Sequence, residues 1–395
     1  TTSGSGTMTY ISNYGQDSSF AGTKTAQGNQ DGNDIGDFYY TPPTGFLALC
    51  TSNLPEPAVT PSEHFNTLLY TGDGGSNRAI TGVGFQPDWS WFKSRNNAWA
   101  HNASDSVRGS TYQLRPNTTA AEWNDTTSVK SFDTDGFTVG NSGDWNGNGN
   151  QVVAWNWKAN GSGSSNTDGS INTTSTSANV DAGFSISTYT GTGSNATIGH
   201  GLSKAPDLII VKKRSATGTW VVYHSSNTAA PETDILALDE SAATYDNAAY
   251  WNDTAPTADV FSVGTSTNTN ESSATFVTYC FHSVDGYSKV GSYTGNGSTD
   301  GTFVYTGFRP AYVMIKNAAS SGTHWLIWDK NRSGYNDDNT PLYGDLSSGE
   351  GTGGSVDLVS NGFKLRTTSS LRNENNSNII YIAFAETPFK YSNAR

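Results

Sequence analysis

Charge is what this sequence has least of. Only 14% of its 395 residues are Asp, Glu, Lys or Arg, against about 25% in an ordinary soluble domain, so hydroxyls and amides must wet the surface. The net charge is −13 and the 22 Lys and Arg residues are scattered, which excludes the basic footprint of a nucleic-acid binder. No apolar run approaches the ~18 residues that span a bilayer, and the opening TTSGSGTMTY lacks the basic and apolar regions of a signal peptide. Membrane insertion is not expected. The two cysteines, Cys50 and Cys280, each sit inside an apolar run; both are expected as buried free thiols rather than as a disulfide framework.

Chemical motifs are equally scarce. The six histidines, His64, His101, His200, His224, His282 and His324, form no metal spacing. No P-loop, Rossmann glycine pattern or nucleophile elbow is present, and no stretch keeps apolar residues at helical spacing for three turns. A Glu-x-Asp-x-x-Glu pattern for glycan cleavage is missing. The candidate carboxylates Glu122, Asp125, Glu232, Asp234, Asp239 and Glu240 read as solvated loop charges. An enzyme is not expected.

What the chain does have is aromatic residues, 12% of the total, and one phrase written three times. FQPDWSWFK at 85–93, KAPDLIIVK at 204–212 and FRPAYVMIK at 308–316 align on Pro87, Pro206 and Pro310. In every copy a Tyr-Thr-Gly begins 17 residues before the proline, at Tyr70, Tyr189 and Tyr293, and a lysine follows 6 after it, at Lys93, Lys212 and Lys316. A later Phe (Phe137, Phe261, Phe363) precedes a last apolar run ending at Trp157, Phe281 and Phe384. Proline before a β-branched and aromatic run marks the start of a buried strand. The lysine is expected where that strand returns to water, and Trp91, Ile210 and Val313 are expected in equivalent surroundings. Short strands between Gly, Asn, Asp and Ser clusters make the fold class all-β, as tandem β-sandwich units of jelly-roll, concanavalin or SPRY-like type. The boundaries read as an incomplete segment over 1–53, a first repeat over 54–159, a second over 160–286 that begins with the flexible spacer NGSGSSNTDGS, and a third over 287–395.

The segments GDFYYTPPTGFLALC, AGFSISTYTG, IGHGLSKAPDLIIVKKR and IAFAETPFKYSNAR resemble virion structural proteins, tail-fibre-like, of marine bacteriophages. QDSSFAGTKTAQGNQDGNDIGDFYY resembles the end of a SPRY or concanavalin-like lectin domain. The resemblance implies a virion-surface location and partners among other virion subunits. It further implies a homo-oligomer, trimeric in such fibres, and contact with host surface glycan. A purely architectural decoration or stalk and a polysaccharide depolymerase are the alternatives.

Binding residues are sought where aromatic rings stand beside amides and carboxylates, because a ring covers the C–H face of a sugar while polar neighbours take its hydroxyls. Trp123, Asn124 and Asp125, Asp144, Trp145 and Asn146, and Trp251, Asn252 and Asp253 are the candidates. The competing reading is that these indoles cap the core with each N–H satisfied by a loop carbonyl. Asp144, Asn146 and Asn148 also resemble half of a calcium loop, but the completing Glu is replaced by Trp155. No cofactor is expected, with Ca2+ the lesser reading.

Overall fold

The computed structural model describes residues 10–54, 56–333, 336, 340–353 and 355–391. They fall into two compact units, one within residues 10–56 together with Phe389–Tyr391 and one within Pro57–Pro388. The described residues of the smaller unit form turns around the Asp31 carboxylate. It accepts N–H groups from Ala48 at 2.7 Å, Asn33 at 2.8 Å, Ile35 at 3.1 Å and the Asn53 side chain at 2.8 Å. Desolvation works to raise its pKa, but these four donors win and hold it at about 2. Cys50 is exposed here, against expectation: its apolar run enters no strand, and Leu47 and Leu49 are exposed with it.

The larger unit is all-β, and its three repeats share one topology. In each, the opening strand (Phe65–Thr71, Phe184–Thr190, Ser288–Thr294) pairs with the closing strand (Gln151–Trp157, Thr275–Phe281, Asn378–Pro388). The closing strand pairs in turn with the strand of the proline phrase (Trp89–Ser94, Leu208–Lys213 and Phe308–Asn317, the last taking in Pro310 at an irregular register), and that strand with a hairpin partner (Asn102–Asp105, Val221–His224, Leu326–Asp329). The registers coincide: Trp89 faces Trp157, Leu208 faces Phe281 and Tyr312 faces Phe384. A small second sheet in each repeat carries the Phe landmark. It covers one face of the main sheet over a private core, with Phe137, Phe261 and Phe363 buried there.

The other face of each main sheet has no cover within its own repeat, and the three faces cover one another. A single apolar cluster draws Trp89, Trp91, Trp155 and Trp157 from the first repeat, Leu208, Ile210, Tyr279 and Phe281 from the second, and Tyr312, Met314, Ile382 and Phe384 from the third. Three aromatic residues at equivalent places in the closing strands meet in a triangle. Ring centroids lie 6.4 Å apart for Trp157 and Phe281, 5.8 Å for Phe281 and Phe384, and 5.6 Å for Trp157 and Phe384. Packing there leaves a void of about 10 Å³.

Three expectations need correcting. Trp91 and Ile210 do share this core, but their equivalent is Met314; Val313 is one residue out of step, and alternation turns it to the outer cluster. Lys93, Lys212 and Lys316 are fully buried, for they follow the inward residues at a spacing of two. The stretch 160–170 is largely exposed but tied down rather than a free spacer: Ser164 bridges to Thr176, and a Cβ on Gly163 or Gly169 would lie 2.3 or 2.4 Å from the Thr176 or Thr197 carbonyl oxygen.

Because one core serves three repeats, unfolding of the larger unit is expected as a single calorimetric transition. Phe281→Ala should destabilise it by about 3–5 kcal/mol while leaving one transition. Three separable transitions, or loss of one repeat alone in the variant, would contradict the shared core.

Candidate functional site

The Tyr-Thr-Gly phrase is explained by a latch. A buried Asn in a short helical turn, Asn146, Asn270 or Asn373, reaches the loop that follows the opening strand. Its Oδ1 accepts the N–H of Asp73, Thr192 or Asn296 at 3.2, 2.8 and 3.0 Å. Its Nδ2 donates to the Gly75, Ser194 or Ser298 carbonyl at 2.8, 2.6 and 2.8 Å. The glycines Gly72, Gly191 and Gly295 lie against this turn, where a Cβ would come within 2.2, 2.3 and 2.1 Å of the carbonyl oxygens of Gly147, Glu271 and Glu374. Sequence reasoning missed these asparagines, although each precedes the end of the apolar run (Trp157, Phe281, Phe384) by 11 residues.

The repeats close on one another through matched contacts. Trp220 Nε1 donates to the Arg115 carbonyl at 2.9 Å and Trp325 Nε1 to that of Ala237 at 2.8 Å, while His101 Nε2 meets that of Tyr343 at 2.8 Å. The three acceptors follow Leu114, Leu236 and Leu342, which pair with equivalent hairpin positions. Asp105, in a buried pair with Arg108 at 2.5 Å, accepts the Tyr279 hydroxyl at 2.7 Å. Asp329, likewise paired with Arg332 at 2.6 Å, accepts Trp155 Nε1 at 3.0 Å. In the third place Ile382 offers no donor, and His224 and Asn227 stand where the other repeats have Asp and Arg.

Two junctions carry an ion-pair clamp, and the third is crossed by backbone bonds instead at the equivalent place, with Gly322 N–H also reaching the Ser241 carbonyl at 2.8 Å. Arg214 grips Glu122 with two bonds of 2.9 Å between the first and second repeats. Arg95 grips Glu350 at 2.6 and 3.2 Å between the third and first. The same backbone bond recurs between the second and third repeats, from Thr244 N–H to the Ala318 carbonyl at 2.9 Å, but neither residue is charged. A depression of about 540 Å³ lies at this junction, lined by Asp239, Glu240, Ser241, Ser321, His324 and Asp345 among others. It is the candidate site.

Its chemistry follows from three carboxylates. Asp239 and Asp345 occupy the place of Asn117: each accepts, through Oδ1, the N–H of the buried ring residue of its repeat, at 3.0, 3.1 and 2.9 Å for Trp220, Trp325 and His101. Burial pushes the Asp239 carboxyl up to about 6 and raises that of Asp345. Asp239 Oδ2 is buried with no hydrogen-bond partner, while Asp345 Oδ2 bonds His324 Nδ1 at 2.6 Å. Lys212 and Lys316 lie close enough to attract these two groups, but each ammonium is bonded to backbone carbonyls, Thr119 at 3.0 Å and Thr323 at 2.7 Å. Burial brings both lysines, and Lys93, down to about 8. Among the described residues no three His, Cys, Asp or Glu side chains are arranged to hold a metal ion.

The residues singled out in the sequence are placed elsewhere. Trp145 is buried with Nε1 on the Ser128 hydroxyl at 2.8 Å, and Trp251 is buried with Nε1 on the Asp234 carbonyl at 3.1 Å. Neither presents a ring face to a ligand. Asn146 is spent in its latch, which removes it as a calcium ligand. Asn252 and Asp253 are exposed in left-handed backbone, φ 54° and 45°. Trp123 is half-buried with the Arg115 guanidinium 4.9 Å over its ring, and Arg115 also meets Asp144 at 3.6 Å. Asn124 is exposed, and Asp125 accepts Thr127 N–H at 2.9 Å and the Ser128 hydroxyl at 2.5 Å. Two of the presumed solvated charges are structural: Glu122 holds Arg108 and Arg214, and Asp234 is buried. Asp239 is half-buried in the depression, and no local pattern in the sequence marks it.

The junction also makes stability depend on acid. His224 Nδ1 accepts Ser226 N–H at 3.2 Å, so Nε2–H donates to the Tyr381 carbonyl at 3.2 Å. Burial lowers this imidazole to about 4. The unfolded chain therefore binds more protons between about 4 and 6.5, so the stabilisation is complete above that window and lost as pH falls through it. His224→Gln should flatten the fall in unfolding free energy over this window by up to about 1.4 kcal/mol per pH unit, measured by denaturant titration from pH 7 to 4.5; an unchanged slope would contradict the assignment.

Comparison with curated proteins and with solved structures gives no match. A family model described as a domain of unknown function, DUF7483, matches residues 60–388. That span takes in all three repeats and every junction between them, and the chain belongs to this family.

Proposed function

We propose that the chain is a non-enzymatic bacteriophage virion protein, part of a tail fibre or similar surface appendage, that contacts the host surface. One observation carries this reading: three repeats keep the same core, latch and junction backbone bonds, while the segments from Lys93 to Phe137, Lys212 to Phe261 and Lys316 to Phe363 differ in length and in most of their wording, Trp-Asn-Asp-Thr at 123–126 and 251–254 being shared by the first two. Constant packing beneath variable connections is how a rigid scaffold displays recognition loops. The weakly charged skin supports it too, since hydroxyls and amides keep a surface wetted where salt screens charge. Resemblance supplies the particle and its other subunits as partners. The threefold arrangement that such fibres build from three chains has a counterpart here within one.

A depolymerase is the second reading, favoured by the Asp239 carboxyl held near neutrality beside Glu240 in an open depression, as a glycosidic acid requires. Release of reducing ends from host capsule, abolished by Asp239→Asn, would select it; none is expected. Antibody labelling of intact particles in the electron microscope should place the chain on an external appendage, and soluble chain should slow adsorption of the phage to its host. Absence of the chain from purified particles would overturn the reading.

A further inference from the structure

The small sheet of the third repeat carries two rings that its fold does not use. It joins Phe303–Tyr305, Gly362–Leu365 and Val356–Val359 in that order. Val304, Phe363 and Leu358 belong to the private core, so alternation turns Phe303 and Tyr305 to the outer face, where they stand 45% and 61% exposed. Among the described residues of this repeat they are the exposed large apolar side chains. With Ile80, Ile198 and Val304 each opposite the landmark Phe of its repeat, the same two places hold Ala79 and Thr81 in the first repeat and Thr197 and Gly199 in the second. Small residues meet the needs of the fold there, and the two rings answer to something else. Alternate positions set them roughly 6.5 Å apart along an edge strand. Across the sheet Phe303 pairs with Lys364, and Tyr305 with Gly362, which puts no side chain beside its ring. Lys364 is bound to Asp300 at 2.8 Å and Arg366 to Asp357 at 2.5 Å, so the charges around the rings cancel. A protein partner needs about 1,200 Å² of total buried surface and 20 or more residues a side, far more than two rings offer. A charged polymer meets counter-charges that are already paired. A neutral sugar fits both features, because its C–H face lies on an aromatic ring while its hydroxyls exchange hydrogen bonds with paired charges at the rim.

We propose that Phe303 and Tyr305 form a platform for a neutral hexose glycan, its sugar units stacked on the two rings and their hydroxyls bonded to Asp300, Lys364 and Arg366. The inference rests on the reading of the chain as a host-surface contact and names the chemical class that this contact takes. An acidic glycan would have to draw Lys364 and Arg366 from the carboxylates that hold them, and gains little by the exchange at an exposed surface.

The test is an array of immobilised oligosaccharides probed with the full chain, neutral ones of glucose, galactose, mannose and N-acetylglucosamine beside sulfated and sialylated ones. The wild-type chain should be retained on neutral members, and Phe303→Ala combined with Tyr305→Thr should weaken the tightest of these by at least about tenfold, the order expected for the apolar contact of a ring. That variant installs the two residues of the first repeat, so its thermal unfolding should match the wild type. Phe303→Trp, which keeps a ring in place, should bind within about threefold of the wild type. No retention on any neutral oligosaccharide, retention on acidic members alone, retention undiminished in the ringless variant, or a wild-type dimer in sedimentation that this variant abolishes would each overturn the proposal. Competition with phage adsorption separates the two claims: a ringless chain that slows adsorption as well as the wild type sinks the platform and leaves host contact standing, whereas ring-dependent retention by a chain that does not slow adsorption does the reverse.

Discussion

Three sheets each leave one apolar face uncovered, and all else in the larger unit depends on those faces meeting. A sheet face carrying Trp89, Trp91, Trp155 and Trp157 cannot stand in water, since each such ring buried is worth several kcal/mol. The described residues include no helix longer than four residues to cover it. Among the described residues, the other two copies of the same face cover it, in one shared cluster. The triangle of Trp157, Phe281 and Phe384 is where the three come together, and it turns a tandem array into a closed ring.

Closure then dictates what the junctions must do. Bringing three repeats together buries polar groups at their edges, and each needs a partner. The solutions recur in register: a ring N–H to a carbonyl, an Asp–Arg pair beneath a neighbour's aromatic donor, an Arg–Glu clamp over a backbone bond. Where a neighbour offers Ile382 in place of a donor, the buried Asp–Arg pair is replaced by His224 and Asn227, because an ion pair there would lack its third partner. Near-symmetry makes the exceptions informative. The junction without a clamp is also the one with the acidic depression, so the feature with the plainest chemical character arises where the repeat rule lapses.

Much of the framework was legible in the chain. The fixed spacing of Tyr, Pro and Lys located the opening strands and the strands after the proline, and the apolar runs ending at Trp157, Phe281 and Phe384 were recognisable as buried strands. The latch asparagines were also within reach, through their constant distance from the end of those runs. The lysines were misjudged because a charged residue closing an apolar run ordinarily marks solvent, and nothing local shows that carbonyls of a neighbouring turn will cap the ammonium. Asp239 and Asp345 were out of reach for a similar reason: their distances from Trp220 and Trp325 differ with loop length, so equivalence appears only once both accept the same N–H.

By itself the sequence determined the β character and the threefold recurrence of the strands, because these rest on local periodicity and proline placement. Tertiary structure alone decided that the three inner faces share one core, that Trp145 and Trp251 are covered while one oxygen of Asp239 is left without a partner, and that one junction lacks an ion-pair clamp. Those outcomes depend on which surfaces meet across more than a hundred residues of chain, and periodicity within a strand carries no record of what will lie against its far side.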